Sequence, residues 1–277
     1  FSLQYSPLLE HREGKGMVLF CQMDMTGRTE TEPAAETLVS NLLRYVGDWR
    51  PVATRKAFYA GAPAGREHLE AAGFSLHTYE GGEIPTDSVL ILGPDSPGAP
   101  GSAHKDAIGA FLASGGRVLA VGLSQEDADA VLPVRVTMGQ AEHINAFFDP
   151  ATMDSPLAGI GPADVHSRDP RTLALVSEDA EPVGDGVLAV APGGRIVFCQ
   201  LAPWQFEYRS NFGLKRTFRR TSFLVTRLLA NLGVQAPTPL LGRFSRPVDG
   251  AEPGRWLQGL YLDEPQEWDD SYRFFRW

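Results

Sequence analysis

Short apolar runs alternate with segments of helical periodicity through the middle of the chain. Runs rich in Val, Ile, Leu and Phe predict strands at 56–60, 74–79, 87–92, 117–121 and 186–190. Helices are predicted between them at 64–72 and 104–114, and each is followed by glycine. Alternation of this kind is typical of a mostly parallel sheet, so the pattern predicts an α/β fold.

One apolar run is written twice in the sequence. Met17-Val-Leu-Phe-Cys-Gln22 returns, almost unchanged, as Arg195-Ile-Val-Phe-Cys-Gln200. Each copy is followed by a polar loop and then by a leucine-rich helix that ends in glycine, at 37–47 and at 223–233. Continuous apolar runs of this type are typical of strands buried on both faces. The repeat therefore predicts a strand–loop–helix unit that is used twice.

The repeat also suggests where the domains lie. The second copy completes a flavodoxin-like three-layer sandwich over 51–236, with an insertion at 132–185. We expect 1–50 to be the terminal strand–helix unit of a preceding domain of the same kind. An alternative is that the first copy pairs at the edge of the single visible sheet. The last segment, 237–277, is rich in proline and aromatic residues, and we expect it to lie on its own domain or on a neighbouring module.

Composition limits the classes of function. The chain has 277 residues, is 43% hydrophobic and carries a net charge of −9, which argues against a long nucleic-acid-binding surface. The basic cluster at 215–220 stands just before an apolar helix and is interpreted as structural. No apolar run is long enough to span a bilayer, so no membrane partner is expected. Cys21 and Cys199 lie in apolar runs, where we expect them to be buried and unpaired.

The first residues, Phe1-Ser-Leu-Gln-Tyr5, contain neither an initiator methionine nor a signal-peptide pattern. We therefore expect the chain to be part of a longer protein. The compartment is left undetermined, and a periplasmic or secreted parent stays open.

The turn after the predicted strand 117–121 is the first place to look for catalysis. The order of elements resembles the class I glutamine amidotransferase-like fold, a module that also serves for trimerisation in some β-galactosidases. In active members a cysteine stands in a G-x-C-x-G elbow, and a later histidine followed by glutamate activates it. Here the elbow is Gly122-Leu-Ser-Gln-Glu126, without a cysteine.

The two remaining candidate nucleophiles have structural explanations. Ser124 and Asp127 form a capping-box pattern before a helix at 126–131, and Cys199 would be desolvated within its strand. We predict no catalytic residue.

The insertion supplies the remaining polar candidates. They are Glu142, His143, Asp164, His166, Arg168 and Asp169. Such residues can bind a metal or sugar hydroxyls, but no H-x-x-x-H or H-E-x-x-H spacing is present, and loops use the same residue types to bond their own backbone. A structural loop is favoured, with a polar ligand or interface site as the alternative. No metal and no cofactor is predicted, since 93–101 contains prolines and no G-x-G-x-x-G pattern follows it.

Three further segments carry a second resemblance, at 198–204, 215–220 and 255–277. Together they are similar to the C-terminal region of large planctomycete-type bacterial proteins related to glycoside hydrolase family 2. The resemblance implies a sugar-cleaving region upstream and a non-catalytic accessory or assembly module here, whose partners are other domains of the parent chain or further copies of itself. One alternative is a carbohydrate-binding module that stacks sugars on Trp204, Trp256 or Trp268. The other is a hydrolase that uses Ser124 or the His166 loop.

Overall fold

The chain divides into two compact units, one of residues 1–53 with 237–277 and the other of residues 54–236. A computed structural model describes residues 7–13, 16–50, 54–94, 102–152 and 154–235. The expectations for the aromatic segment 237–277, including Trp256 and Trp268, lie outside the described residues.

The first unit contains an antiparallel strand pair and one helix. Strand β1 (Leu8–Glu13) pairs with β2 (Gly16–Cys21), and Leu8 lies opposite Cys21. Helix α1 (Pro33–Asp48) starts on a proline, which suits the first turn because its missing N–H has no partner to lose there. No side chain described in this unit is buried.

These features correct part of the interpretation of the repeat. A strand and a helix are present where they were predicted, but β2 is not buried on both faces, and Cys21 is exposed. Among the described residues, β2 pairs with β1 in a two-stranded sheet, and the alternative placement of the first copy beside the main sheet stays a prediction. The assignment of 1–50 to a preceding amidotransferase-like domain stays a prediction.

The second unit contains a seven-stranded sheet. Its elements, in chain order, are β3 (Lys56–Ala60), α2 (Pro63–Ala71), β4 (Leu76–Thr78), β5 (Ser88–Leu92), α3 (Ser102–Ala113), β6 (Arg117–Val121), α4 (Gln125–Val131), β7 (Thr137–His143), β8 (Arg171–Glu178), β9 (Glu181–Val183), β10 (Leu188–Val190), β11 (Ile196–Cys199) and α5 (Lys215–Asn231). The strand order is β4-β3-β5-β6-β11-β10-β9, and the first five strands are parallel. The predicted α/β architecture with a mostly parallel sheet is confirmed. This order is consistent with a flavodoxin-like fold.

The centre of the sheet explains the continuous apolar runs. All five residues of β5 and all four of β11 are buried, because central parallel strands are covered on both faces. Phe198 and Leu90 belong to one hydrophobic cluster that includes residues of α3 and α4. Burial of side chains this large is the main source of stability of the unit.

Helix α5 packs closely and ends as predicted. Leu224, Leu228 and Leu229 are fully buried, and Gly233 adopts a φ of +100° beyond the last turn. The N–H groups of Gly233 and Val234 donate to the carbonyl oxygens of Ala230 and Leu229, which is the Schellman arrangement. The basic cluster 215–220 lies within this helix rather than before it, because α5 starts at Lys215.

Helix α1 differs from α5 although the two sequences match. Leu43, which aligns with the buried Leu229, is 69% exposed. The helix also continues through Gly47 to Asp48, so the prediction that a glycine closes it is wrong. A shared sequence pattern has here produced a shared local structure with different packing.

The insertion forms a hairpin-like sheet of its own. Strands β7 and β8 pair antiparallel, with Thr137 opposite Glu178 and His143 opposite Arg171. Its last strand, β9, instead joins the main sheet beside β10. No helix within the described residues is long and apolar enough to cross a membrane.

Candidate functional site

The carboxyl-terminal edge of the parallel strands is the place to look for a site. Ligands of open α/β sheets bind in the crevice outside these strand ends. Here the edge comprises the segments that follow β3, β5, β6 and β11, at 61–62, 93–94, 122–124 and 200–204. Their side chains decide whether a crevice exists and what chemistry it can perform.

Ser124, at the end of the turn after β6, is an N-cap. Its hydroxyl lies 2.7 Å from Asp127 Oδ2 and accepts a hydrogen bond from the Asp127 N–H at 3.1 Å. The Asp127 carboxylate accepts the Ser124 N–H at 3.0 Å, which completes the capping box. The backbone of Ser124 is unstrained, with φ −75° and ψ 169°. The capping box expected from the sequence is confirmed.

Within the described residues, the capping box gives Ser124 none of the partners of a nucleophile. A catalytic serine needs a base within hydrogen-bond reach, most often a histidine that a third group orients. Within the described part of the chain, both hydrogen bonds of the Ser124 hydroxyl are made with Asp127.

Gln125 is a structural residue of this edge that the sequence did not single out. Its side-chain N–H donates to the carbonyl oxygen of Val136 at 2.9 Å, and its side-chain oxygen accepts the N–H of Met138 at 2.7 Å. The side-chain amide of Gln125 thus bonds one backbone carbonyl group and one backbone N–H group at the start of β7. Only the fold brings these residues together, because a glutamine next to a cap carries no recognisable signal.

The segment after β11 lies directly against the turn after β6. A Cβ built on Gly122, whose φ is +63°, would come within 3.2 Å of the Ala202 Cβ and 3.4 Å of Pro94 Cγ. Ala202 is 2% exposed, so this contact is closed to solvent. Among the described residues, the side chains that face Gly122 are those of Ala202 and Pro94, and neither can act as a base.

The side chain of Tyr59, a residue of β3, packs against the segments that follow β3 and β5. Its hydroxyl donates to the carbonyl oxygen of Ala62 at 2.8 Å, and burial raises its pKa to about 12. Cβ atoms built on Gly61 and Gly93 would lie 2.7 and 2.9 Å from the same hydroxyl oxygen. These glycines allow the segments after β3 and β5 to pack closely against the Tyr59 ring.

Trp204 packs inward rather than forming an open platform. It is half-buried, its Nε1 is buried without a hydrogen-bond partner among the described residues, and its ring lies 5.8 Å from that of His68. His68 also contacts Phe218 edge-on at 5.5 Å between centroids. Burial lowers the pKa of His68 to about 4, so this imidazole is neutral at pH 7. Stacking of a sugar on Trp204 would require these aromatic contacts to open.

Cys199 has the properties expected from its strand. Its side chain is fully buried, and burial raises its pKa to about 12. A thiol in this state is neither a nucleophile nor a metal ligand at neutral pH.

The structure brings the two polar clusters of the insertion together. His143, 2% exposed, has its Nε2 2.7 Å from the carbonyl oxygen of Val165, and the Ser167 N–H donates to the carbonyl oxygen of Ile144 at 2.7 Å. Asp164 Oδ2 accepts the Gly161 N–H at 2.9 Å. These contacts join the end of β7 to the loop 161–169.

Backbone groups also account for much of the rest of this cluster. The Arg168 N–H donates to the Thr217 hydroxyl at 3.2 Å, and the carbonyl oxygen of Asp169 accepts the Ser167 hydroxyl at 2.7 Å. Glu142, Arg168 and Asp169 have exposed side chains, and His166 is half-buried. No group of three or more His, Cys, Asp or Glu side chains that could hold a metal is present in the ranges that the structure describes.

Comparison with known proteins gives distant likenesses. No protein-family model and no curated protein matches the chain. Among solved structures it is similar to PurLQS from Thermotoga maritima, with 11% identity and a TM-score of 0.38 over 62% of this chain and 100% of that one. It is also similar to alpha-L-fucosidase isoenzyme 2 from Paenibacillus thiaminolyticus, with 17% identity and a TM-score of 0.36 over 70% of this chain. The match spans 36% of the fucosidase chain.

Proposed function

We propose that the 54–236 unit is a non-catalytic, amidotransferase-like accessory or assembly module. The observation that carries this proposal is the closed carboxyl-terminal edge of the sheet, where Gly122 lies against Ala202. In this fold class that edge is where a ligand would bind and react. The described side chains around Gly122, Gly61 and Gly93 are a methyl group, a proline and a tyrosine, which supports a packing role for this edge.

The polar groups at this edge support the same proposal. The Ser124 hydroxyl is used by the cap, and the pKa of Tyr59, raised to about 12, keeps the phenol protonated. General acid–base catalysis works best with a group whose pKa lies near the operating pH. The Tyr59 phenol does not meet that condition, so we assign its side chain a packing role.

The proposed parent is a large bacterial glycoside hydrolase of β-galactosidase-like type. This part of the proposal is supported by the sequence resemblance of 198–204, 215–220 and 255–277 described above. In such a parent, the module would contact other domains of the chain or copies of itself, and bond cleavage would take place upstream. The exposed apolar side chains Phe147 and Phe223, at 85% and 52% exposure, are available for contacts of this kind.

Turnover by the isolated chain tests the proposal. Glutamine hydrolysis and cleavage of a panel of nitrophenyl glycosides should stay at the rate of a buffer blank for the wild type and for Ser124→Ala. The matched control is Ser210→Ala, whose hydroxyl bonds a backbone carbonyl oxygen away from this edge. Turnover that Ser124→Ala abolishes and Ser210→Ala retains, with both variants folded, would contradict a non-catalytic role.

A further inference from the structure

Three arginines lie at the amino-terminal ends of strands of the main sheet, opposite the carboxyl-terminal edge described above. Arg55 immediately precedes β3, Arg117 is the first residue of β6, and Arg195 immediately precedes β11. Strands β3, β5, β6 and β11 are consecutive neighbours in the sheet. The backbone oxygen of Arg195 accepts the N–H of Val118 at 2.8 Å, which places Arg195 beside the start of β6. We refer to the three residues as the arginine cluster.

Backbone carbonyl groups hold each guanidinium through one nitrogen, Nη1. Arg55 Nη1 donates to the carbonyl oxygens of Thr86, Ser88 and Gly115 at 3.0, 3.3 and 3.3 Å. Arg117 Nη1 donates to those of Asn231 and Leu232 at 3.4 and 3.3 Å. Arg195 Nη1 donates to that of Leu112 and, at 3.3 Å, to that of Ala113. Most of these acceptors end or follow α3 and α5. The remaining Nε and Nη2 donors of the cluster have no hydrogen-bond partner among the described residues.

The stems of two members converge on one turn. A Cβ built on Gly233 would lie 3.2 Å from Arg55 Cδ, and the Arg55 N–H donates to the Gly233 carbonyl oxygen at 2.9 Å. Arg117 bonds the carbonyl oxygen of the preceding residue, Leu232. The stem of Arg55 and the guanidinium of Arg117 thus lie at the C-terminal turn of α5, and the backbone bonds that hold both side chains limit the freedom they lose when they bind a ligand.

Positive charge at this edge exceeds what the side chains of the described residues neutralise. No ion pair joins the cluster to a carboxylate within the described ranges. A helix C-terminus supplies roughly half a negative charge, so within the described part of the chain two helix ends leave about two positive charges uncompensated. Burial, and then the charges of Arg55 and Arg195, hold the pKa of Arg117 below its usual value. This local excess occurs in a chain whose net charge is −9.

We propose that the arginine cluster binds a phosphate group. A phosphate carries close to two negative charges at pH 7 and several strong acceptor oxygens, so it can receive donors from three separate guanidinium groups. A carboxylate has one charge and two oxygens, and one arginine fork can satisfy it. The charge and the number of free donors therefore match phosphate better. Inorganic phosphate, a phosphorylated metabolite and a phosphorylated side chain of a partner share this chemistry.

The first test is calorimetric titration of the full chain with inorganic phosphate. We expect saturable binding that Arg195→Gln weakens about tenfold, which corresponds to about 1.4 kcal/mol. Arg66→Gln is the matched control. Arg66 is a partly exposed arginine on helix α2, outside the cluster, and its Nη1 lies 2.9 Å from Glu70 Oε1. This substitution should leave the affinity unchanged. Acetate at equal ionic strength should not compete.

The proposal is overturned by any of three results: no saturable binding, equal affinity in Arg195→Gln and wild type, or competition by acetate at the same concentration as phosphate. Since Arg195 also holds the end of α3, circular dichroism must show that the variant is folded. If it is not, Arg195→Lys, which keeps a point charge without the planar fork, must bind phosphate more weakly than wild type.

Two further ligands separate the sources of phosphate. A phosphoserine peptide that binds at least tenfold more tightly than inorganic phosphate indicates a protein partner. A sugar phosphate that does so indicates a metabolite. In either case its unphosphorylated counterpart must fail to bind.

Discussion

Gly122 lies against Ala202, so the turn after β6 and the segment after β11 close on each other across the carboxyl-terminal edge of the sheet. A Cβ at Gly122 would meet the Ala202 Cβ at 3.2 Å. The closed edge depends on this contact, because any larger residue at either position would separate the two segments.

Substitution of Gly122 should therefore destabilise the fold. Gly122→Ala adds a methyl group to this contact and forces a φ of +63° on alanine. We expect the free energy of unfolding to fall by about 1 to 3 kcal/mol in urea denaturation. Gly139→Ala is the matched control, since a Cβ there meets nothing within 4 Å, and it should change stability by less than about 0.5 kcal/mol. Equal effects of the two substitutions would contradict the packing described.

Gly65 and Tyr59 should be energetically coupled. A Cβ on Gly65 would lie 2.1 Å from the Tyr59 hydroxyl oxygen and 3.0 Å from Trp204 Cε2. Gly65→Ala should cost about 2 kcal/mol or more, while Tyr59→Phe should cost about 1 kcal/mol through the lost hydrogen bond to Ala62. Because Tyr59→Phe removes the atom that clashes, the double variant should be more stable than the sum predicts by about 1 kcal/mol. A strictly additive double-mutant cycle would show that the methyl group of Gly65→Ala does not contact the Tyr59 hydroxyl.

Much of the main unit could be predicted from sequence, and the reason is physical. Strands β5 and β11 are buried on both faces, so their apolar runs are continuous and recognisable. The capping box at Ser124 is equally local, since all its partners lie within four residues. Such features depend on neighbours in the sequence and not on the rest of the fold.

The errors arose where the same local pattern met different surroundings. The repeated Phe-Cys-Gln run forms a central parallel strand at β11 and an exposed antiparallel strand at β2, because strand pairing depends on residues outside the run. The bond between His143 and the Val165 carbonyl oxygen, 22 residues apart, likewise leaves no trace in either segment. The crowding around Tyr59 was also unforeseen, since it combines glycines from two loops, Gly61 and Gly93, and from helix α2, Gly65.

The buried His68 should make stability depend on pH. Its pKa in the folded protein is about 4, below the usual 6.5, so the unfolded chain takes up a proton first as the pH falls. The free energy of unfolding should be unaffected by this group above pH 6.5 and should drop by up to about 3 kcal/mol between pH 6.5 and 4.

The matched comparison for this effect is between His68→Phe and His77→Phe. The first removes the buried imidazole and should flatten the dependence over pH 4–6.5. The second alters an exposed ring stacked on Phe58 at 5.0 Å and should leave the dependence in place. An unchanged pH profile in His68→Phe would rule out the buried neutral histidine.

The two cysteines should differ in reactivity. Cys21 is exposed, whereas Cys199 is buried with its pKa raised to about 12. A disulfide reagent at pH 8 should titrate one thiol in the native protein and two in denaturant. Cys21→Ser should abolish the native reaction, and a fast second thiol in the native state would show that β11 is accessible.

Labelling of Ser124 by a fluorophosphonate probe tests most directly whether the carboxyl-terminal edge holds a reactive nucleophile. Mass spectrometry of the native protein should show labelling of Ser124 no faster than that of Ser210, a surface serine whose hydroxyl also bonds a backbone carbonyl oxygen. Rapid labelling at Ser124 alone, lost when the protein is denatured, would show an activated serine and contradict the proposed non-catalytic role.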